Sequence, residues 1–274
     1  MSRVAVIKGS RGHEPVFKAL DFVDFQNVLK EWNRVLIKVN FITTKSWDSG
    51  ATTDPVVVEA IIQRLKDLSI ETLVVESDAT MTDATKAFKV TGMAEMCDRN
   101  SVEWINLRHL KEKVEIPVKD GETLKKITVP RIVTESAIIS AAKLKTHSGT
   151  TVTLGMKNMF GLLPDKFKAK YHAQGISGVI VDINSVLKPT LTVVDGFVGM
   201  EGSGPSRGDP IQMDTIIAGA DPVATDATAA RTMGFDPHTI SHIRRAHQKG
   251  IGEIDDIEVV GDGIEAVSRI FKRA

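Results

Sequence analysis

Short runs of β-branched and aliphatic residues recur along this chain, separated by stretches with the periodicity of amphipathic helices, and that alternation constrains the fold more than any other feature. The runs Val4–Ile7, Val35–Val39, Thr72–Val75, Val102–Ile105, Ala137–Ser140, Leu191–Val194, Thr215–Ala218 and Glu258–Val260 read as strands. Thr53-Asp54-Pro55 reads as a helix start, because Pro fits the first turn and Val57, Ala60, Ile61, Leu65 and Leu68 then share a face. Further helices are expected over Val16–Leu29, Asp83–Phe88, Ile176–Leu187, Pro222–Met233, Pro237–Gln248 and Gly263–Phe271. The pattern predicts an α/β fold with a mixed, mostly parallel sheet and helices on both faces. Two alternating runs within Val114–Val129 flank Lys119-Asp120-Gly121-Glu122, and Asp-Gly favours a tight turn, so a β-hairpin insertion is expected there. Residues 1–274 are read as one α/β unit, with two interleaved lobes meeting near 108–130 as the alternative.

Composition narrows the function classes. The chain has 35 basic and 35 acidic residues, so nothing in its charge balance asks for nucleic acid. Its single cysteine, Cys97, excludes an intramolecular disulfide and any iron–sulfur cluster held by several thiolates of this chain. No apolar stretch is long enough to span a bilayer, and the opening MSRVAVIKGS lacks a signal-peptide core. A cytoplasmic protein with no membrane partner is the expectation.

The most polar-functional segment is KLKTHSGTTVTLGMKNMFGLLPDKFKAKYH, residues 143–172. Lys143, Lys145 and His147 follow an apolar run, so they are expected at or just past the carboxyl end of a buried strand, the edge where open α/β sheets bind ligands. A solvated basic loop is the alternative. Lysines suit phosphate or carboxylate, and a neutral His147 suits a metal or a moving proton. Lys157 sits among Met156, Met159 and Phe160, where it either snorkels to solvent or points into a partly dry site that lowers its pKa. Asn158 joins the same ligand or caps a helix. His172 ends a basic run of Lys166, Lys168 and Lys170 and pairs in sequence with His147 around the central lysine.

Asp195 closes an apolar run and is followed by glycines at 196, 199, 202, 204 and 208, among them Gly196, Gly202 and Gly204 as places where backbone can approach a ligand. Glu201 lies in the same stretch. No Gly-Lys-Ser/Thr closes it, so it is not a P-loop. Asp221 reads as a helix cap before Pro222, while Asp226, one turn on, can reach the strand edge. Lys38 inside Val-Leu-Ile-Lys-Val suggests a charge aimed into a cleft, with Asn40 beside it, and Glu76, Ser77 and Asp78 end a strand in a similar place. His238, His242 and His247 lack the glutamate of a zinc-protease motif and are expected to be solvated.

Lys38-Val39-Asn40, Lys143-Leu144-Lys145-Thr146-His147, Gly155 to Gly161, Val194-Asp195-Gly196 with Met200 to Pro205, and Asp221 to Asp226 together resemble the prokaryotic family of the domain of unknown function 362, whose members are often labelled iron–sulfur cluster proteins. The resemblance covers nearly the whole chain. Many members carry a cysteine-rich ferredoxin-like segment, and this chain departs from them in having only Cys97. The order His147, Lys157, His172 is also similar to that in nickel-dependent lactate racemases. There it implies a lysine that tethers a nickel pincer nucleotide and histidines that ligate nickel or move the substrate α-proton.

These residues lead to an expected enzyme of a small anionic ligand. His147, Lys157, His172 and Asp195 would be its catalytic group, and Lys38, Asn40, Lys143, Lys145, Asn158, Gly196, Gly202 and Gly204 its binding group. His147, His172, Glu201 and Asp226 are candidate ligands for a divalent metal or metallo-nucleotide. A carrier of such a cofactor, a homo-oligomer and a partner of a separate ferredoxin are the rival readings. Lys38, His147, Lys157, Asp195 and Glu201 are expected to converge in space.

Overall fold

A computed structural model describes residues 1–274. Its strands are β1 (Ser2–Lys8), β2 (Arg34–Lys38), β3 (Glu71–Glu76), β4 (Glu103–Asn106), β5 (Lys113–Pro117), β6 (Lys126–Pro130), β7 (Ala137–His147), β8 (Thr151–Thr153), β9 (Leu191–Glu201), β10 (Asp209–Gly219) and β11 (Ile257–Gly261). Nine of them form one sheet in the order β11-β1-β10-β9-β7-β2-β3-β4, with β8 added to β7. Pairing is parallel from β4 through β3, β2 and β7 to β9, whereas β10 runs against both β9 and β1. β5 and β6 form the separate antiparallel hairpin. The α/β reading and the hairpin both hold.

Alternation along the strands sorts side chains into two cores, one on each sheet face. Val35, Ile37, Ile139, Ala141, Val193 and Phe197 join one cluster, with residues of helices His13–Phe22, Pro55–Lys66 and Met93–Arg99. Leu36, Ile138, Leu144 and Val194 join the other, with residues of helices Ile176–Val186, Pro222–Thr232 and Ser241–Gln248. Helix starts follow their capping chemistry. Asp54 accepts from the Val56 N–H ahead of Pro55–Lys66, and Asp221 accepts from the Val223 and Ala224 N–H groups ahead of Pro222–Thr232.

Several boundaries differ from expectation for identifiable reasons. The expected helix Val16–Leu29 is two helices, His13–Phe22 and Phe25–Leu29, because Asp24 adopts the left-handed conformation at φ 50°. Pro237–Gln248 divides into a 3₁₀ turn at Pro237–Thr239 and a helix at Ser241–Gln248. Gly263–Phe271 is not a helix, since the Arg269 and Phe271 N–H groups bond outward to the Thr232 and Met233 carbonyls. The hairpin connection is longer than a two-residue turn: Pro117 pairs with Lys126, and Asp182 accepts from the backbone N–H groups of Glu122, Thr123 and Leu124. Helix Met93–Arg99 and strand β8 had no sequence expectation. β7 and β9 each run eleven residues, well past the apolar runs that marked them. No helix is long and apolar enough to cross a membrane.

Candidate functional site

Beyond the carboxyl ends of β2, β3 and β7 lies a cavity of ≈ 280 Å³, at the small end of the range of ligand pockets. Lys38, Asn40, Glu76, Ser77, His147, Lys157, Asn158, Phe160, Lys168 and His172 line it, with Phe41, Ile42 and Met81 among the apolar walls. Three lysines and two histidines thus face a cavity to which Glu76 brings the one carboxylate.

The polar floor is closed on itself. Lys38, 1% exposed, donates to Glu76 Oε2 at 2.9 Å, to Asn158 Oδ1 at 3.0 Å and to the Val39 carbonyl at 2.6 Å. Burial lowers the Lys38 pKa and the Glu76 carboxylate works against that shift. Glu76 also accepts from the Phe41 and Ser77 N–H groups. Asn158 accepts from Asn40 Nδ2 at 3.0 Å and donates to the Lys38 carbonyl and Ser140 Oγ, so it orders the floor rather than capping a helix. Gly161 crosses directly over this group: a Cβ there would collide with Lys38 Cε and Nζ. Only a residue without a side chain lets the chain pass that close.

Lys157 differs from its neighbours because its ammonium has neither a hydrogen-bond acceptor nor an ion-pair partner. It projects from the short helix Gly155–Asn158, partly buried, with Nζ 5.8 Å from the Phe160 ring centroid. Burial and then the Lys38 charge bring its pKa down to about 8. Lys168 approaches the same ring at 5.6 Å and donates to Ser77 Oγ at 2.7 Å, and burial lowers it to about 8 as well. His147 is 6% exposed, and its Nδ1 accepts from the Gly149 N–H at 2.9 Å, which places the ring proton on Nε2. Burial, then Lys157 and His172, push its pKa down to about 2, so it is neutral. His172 stacks on it with ring centroids 6.1 Å apart and planes within 9°, and its pKa also falls through burial and Lys157.

The remaining predicted residues lie elsewhere. Lys143, Lys145 and His147 are inside β7, not past its end, and are buried. Lys143 and Asp195 form an ion pair at 2.8 Å with both side chains fully buried, on the sheet face shared with Ile139, Ala141 and Val193. Asp195 Oδ2 accepts from the Asp54 N–H, and Asp54 in turn receives Arg11 at 2.6 and 2.9 Å. Burial pushes the Asp195 carboxyl up, with Lys143 opposing. Lys145 donates to Asn40 Oδ1 and the Ala51 carbonyl without any carboxylate partner, and burial depresses it well below the usual lysine range. Lys143, Lys145 and Asp195 therefore support the cavity from behind and do not line it.

Glu201 turns to the chain terminus, accepting from the Lys272 N–H and pairing with its ammonium at 3.1 Å. Asp226 is spent on the Gly155 and Met156 N–H groups at 2.8 and 2.9 Å, with its pKa raised by burial to about 7. The four candidate metal ligands thus do not gather, and no three His, Cys, Asp or Glu side chains anywhere form a metal-sized group. The expected convergence holds for Lys38, His147 and Lys157 and fails for Asp195 and Glu201. Gly196 is a packing glycine whose Cβ would meet the Thr215 carbonyl oxygen at 2.8 Å. Gly202 adopts φ 68°, and Gly204 lies against the Thr146 backbone.

Two residues had escaped a functional reading. Lys168 had been read only as one member of the basic run that His172 ends. His242, expected to be solvated, is fully buried, and neither ring nitrogen has a partner. Burial and then Lys157 bring its pKa down to about 3. Of the two histidines read with it, His238 is exposed beside Asp255 as expected, whereas His247 is half-buried at the Gly252 carbonyl.

Comparison with known proteins supplies a family and little chemistry. A thylakoid-associated protein of Synechocystis sp. is 25% identical over 232 residues, covering 82% of this chain and 70% of that protein. No solved structure matches. The family model described as a domain of unknown function, DUF362, matches residues 35–231, a span that includes every cavity-lining residue named above. The chain therefore belongs to the DUF362 family.

Proposed function

We propose that the protein is an enzyme that binds a small carboxylate- or phosphate-bearing molecule in this cavity and moves a proton on it. The observation that carries this reading is the unpartnered ammonium of Lys157, facing a cavity that Lys38 and Lys168 also line. A buried cation without a counter-charge is costly, and an incoming anion removes that cost. Lys168, which gives one N–H to Ser77, holds the anion beside Lys157, and Phe160 shields it from water. His147 and His172 are the acid–base pair. Burial first and the Lys157 charge second keep both neutral, and an anion beside Lys157 offsets the second effect and raises their pKa. The racemase-like order His147, Lys157, His172 fits proton movement at a carbon next to a carboxylate. Metal assistance is the weaker reading because Glu201 and Asp226 are committed to backbone N–H groups.

The test is calorimetric titration with phosphate and with small mono- and dicarboxylates, followed by proton exchange of bound ligand in deuterated water. Binding that disappears in Lys157→Met, with exchange that disappears in His147→Gln, is the expected result. Undiminished binding by the folded Lys157→Met variant removes the reading.

A further inference from the structure

Lys157 is unusual in more than lacking a counter-ion. Lys38, Lys143, Lys145 and Lys168 each donate to named acceptors. Lys157 hands its protons to none. It stands on a four-residue helix whose first two N–H groups are clamped by Asp226, so its backbone is positioned by the core rather than by a loose loop. Its amine lies near the face of Phe160, with His147 and Lys38 on the same cavity wall. An amine held this way, apolar on one side and open on the other, suits bond formation as much as charge attraction.

We propose that Lys157 Nζ condenses with the keto carbon of a small 2-oxo carboxylate bound in this cavity, forming an iminium. This rests on the anion-binding reading above. The carboxylate meets Lys168, leaving the adjacent carbonyl carbon within reach of Lys157. The free amine's lone pair forms the new C–N bond while the carbonyl π pair moves to oxygen, and a proton passes from the new ammonium nitrogen to that oxygen, giving a neutral carbinolamine with a lone pair on nitrogen. A second proton on that oxygen lets it leave as water, and the nitrogen lone pair closes the C=N bond. Amine, ketone and one proton thus become iminium and water, with no change of oxidation state. His147 Nε2–H faces the developing hydroxyl as a hydrogen-bond donor, since Nδ1 is occupied by Gly149. A pKa of about 8 leaves roughly a tenth of Lys157 as free amine at neutral pH. The iminium then acidifies the carbon next to it, which gives the His147–His172 pair a proton to move.

Reductive trapping tests this. Whole protein is incubated with pyruvate and sodium cyanoborohydride at pH 8, and peptides are mapped by mass spectrometry. One reduced adduct per chain is expected on Lys157, formed about tenfold faster than on exposed lysines. It should be absent from the corresponding peptide of Lys157→Arg, whose thermal unfolding matches wild type. A parallel arm measures reductive methylation of Lys157 by formaldehyde with and without propionate, which has the carboxylate but no carbonyl. Protection by propionate with no pyruvate adduct at Lys157 overturns the iminium and leaves the anion site standing. No protection and no adduct overturns both.

Discussion

Lys143 and Lys157 are both lysines taken out of water, and they should respond oppositely to the same change. Lys143 is matched at 2.8 Å by Asp195 in a fully buried pair. Lys143→Met leaves that carboxylate alone and should cost about 3–5 kcal/mol in chemical denaturation. Lys157 is unmatched, so Lys157→Met should leave stability unchanged or raise it by about 1 kcal/mol. The sign follows from titration. The folded pKa of about 8 lies below the ordinary 10.5, so the unfolded chain binds more protons between those values. The Lys157 penalty is therefore full below pH 8 and relieved as pH rises toward 10.5. A labelling midpoint for Lys157 near 10.5 would remove the depressed amine. The sequence made Lys157 legible, because an embedded lysine among methionines and a phenylalanine is odd in any fold. It could not separate Lys157 from Lys143, whose partner lies 52 residues away.

The short helix Gly155–Asn158 places Lys157 and Asn158 together, and Asp226 holds its start. Asp226→Asn puts an amide N–H against one of those two backbone donors, and should cost about 1–3 kcal/mol while weakening anion binding through displacement of Lys157. With a folded pKa of about 7 against the ordinary 3.8, the wild-type carboxyl contributes stability below pH 3.8 that is lost as pH rises through 7. That contribution should vanish in the variant's pH–stability curve. At the hairpin, Asp182→Ala removes the acceptor for three backbone N–H groups and should speed amide exchange at Glu122, Thr123 and Leu124 without altering anion binding. The hairpin itself was legible from its alternation and Asp-Gly. Its anchor was not, because Asp182 lies about 60 residues on and looks like any helical aspartate. β7 and β9 were read too short for a related reason. Charged residues end an apolar run in sequence, but here they are buried with remote partners and the strands continue.

Across the molecule, acid stability should carry the mark of buried neutral histidines. His242, with a folded pKa of about 3, binds no proton near pH 5, whereas its unfolded counterpart does. Its contribution is therefore full above pH 6.5 and lost as pH falls toward 3, and His242→Leu should flatten the stability curve around pH 5 by about 1.4 kcal/mol per pH unit. An unchanged slope in urea titrations at pH 4.5–6 would contradict this. His242 was read as solvated because no glutamate completes a zinc-protease motif around it, and a missing motif does not tell which side of Ser241–Gln248 meets the core. The sheet order was equally beyond sequence: β10 runs between β1 and β9 although β1 opens the chain.

β7 places Lys143, Lys145 and His147 on one side of the sheet and Leu144 on the other, within a strand buried along its whole length. Sliding β7 by one residue against β2 or β9 would drive two ammonium groups into hydrocarbon and strand Asp195 with no counter-charge. An apolar strand of the same length would tolerate such a slip at far lower cost. During folding the buried cations therefore act as a pairing code that rejects near-miss alignments of the central strands.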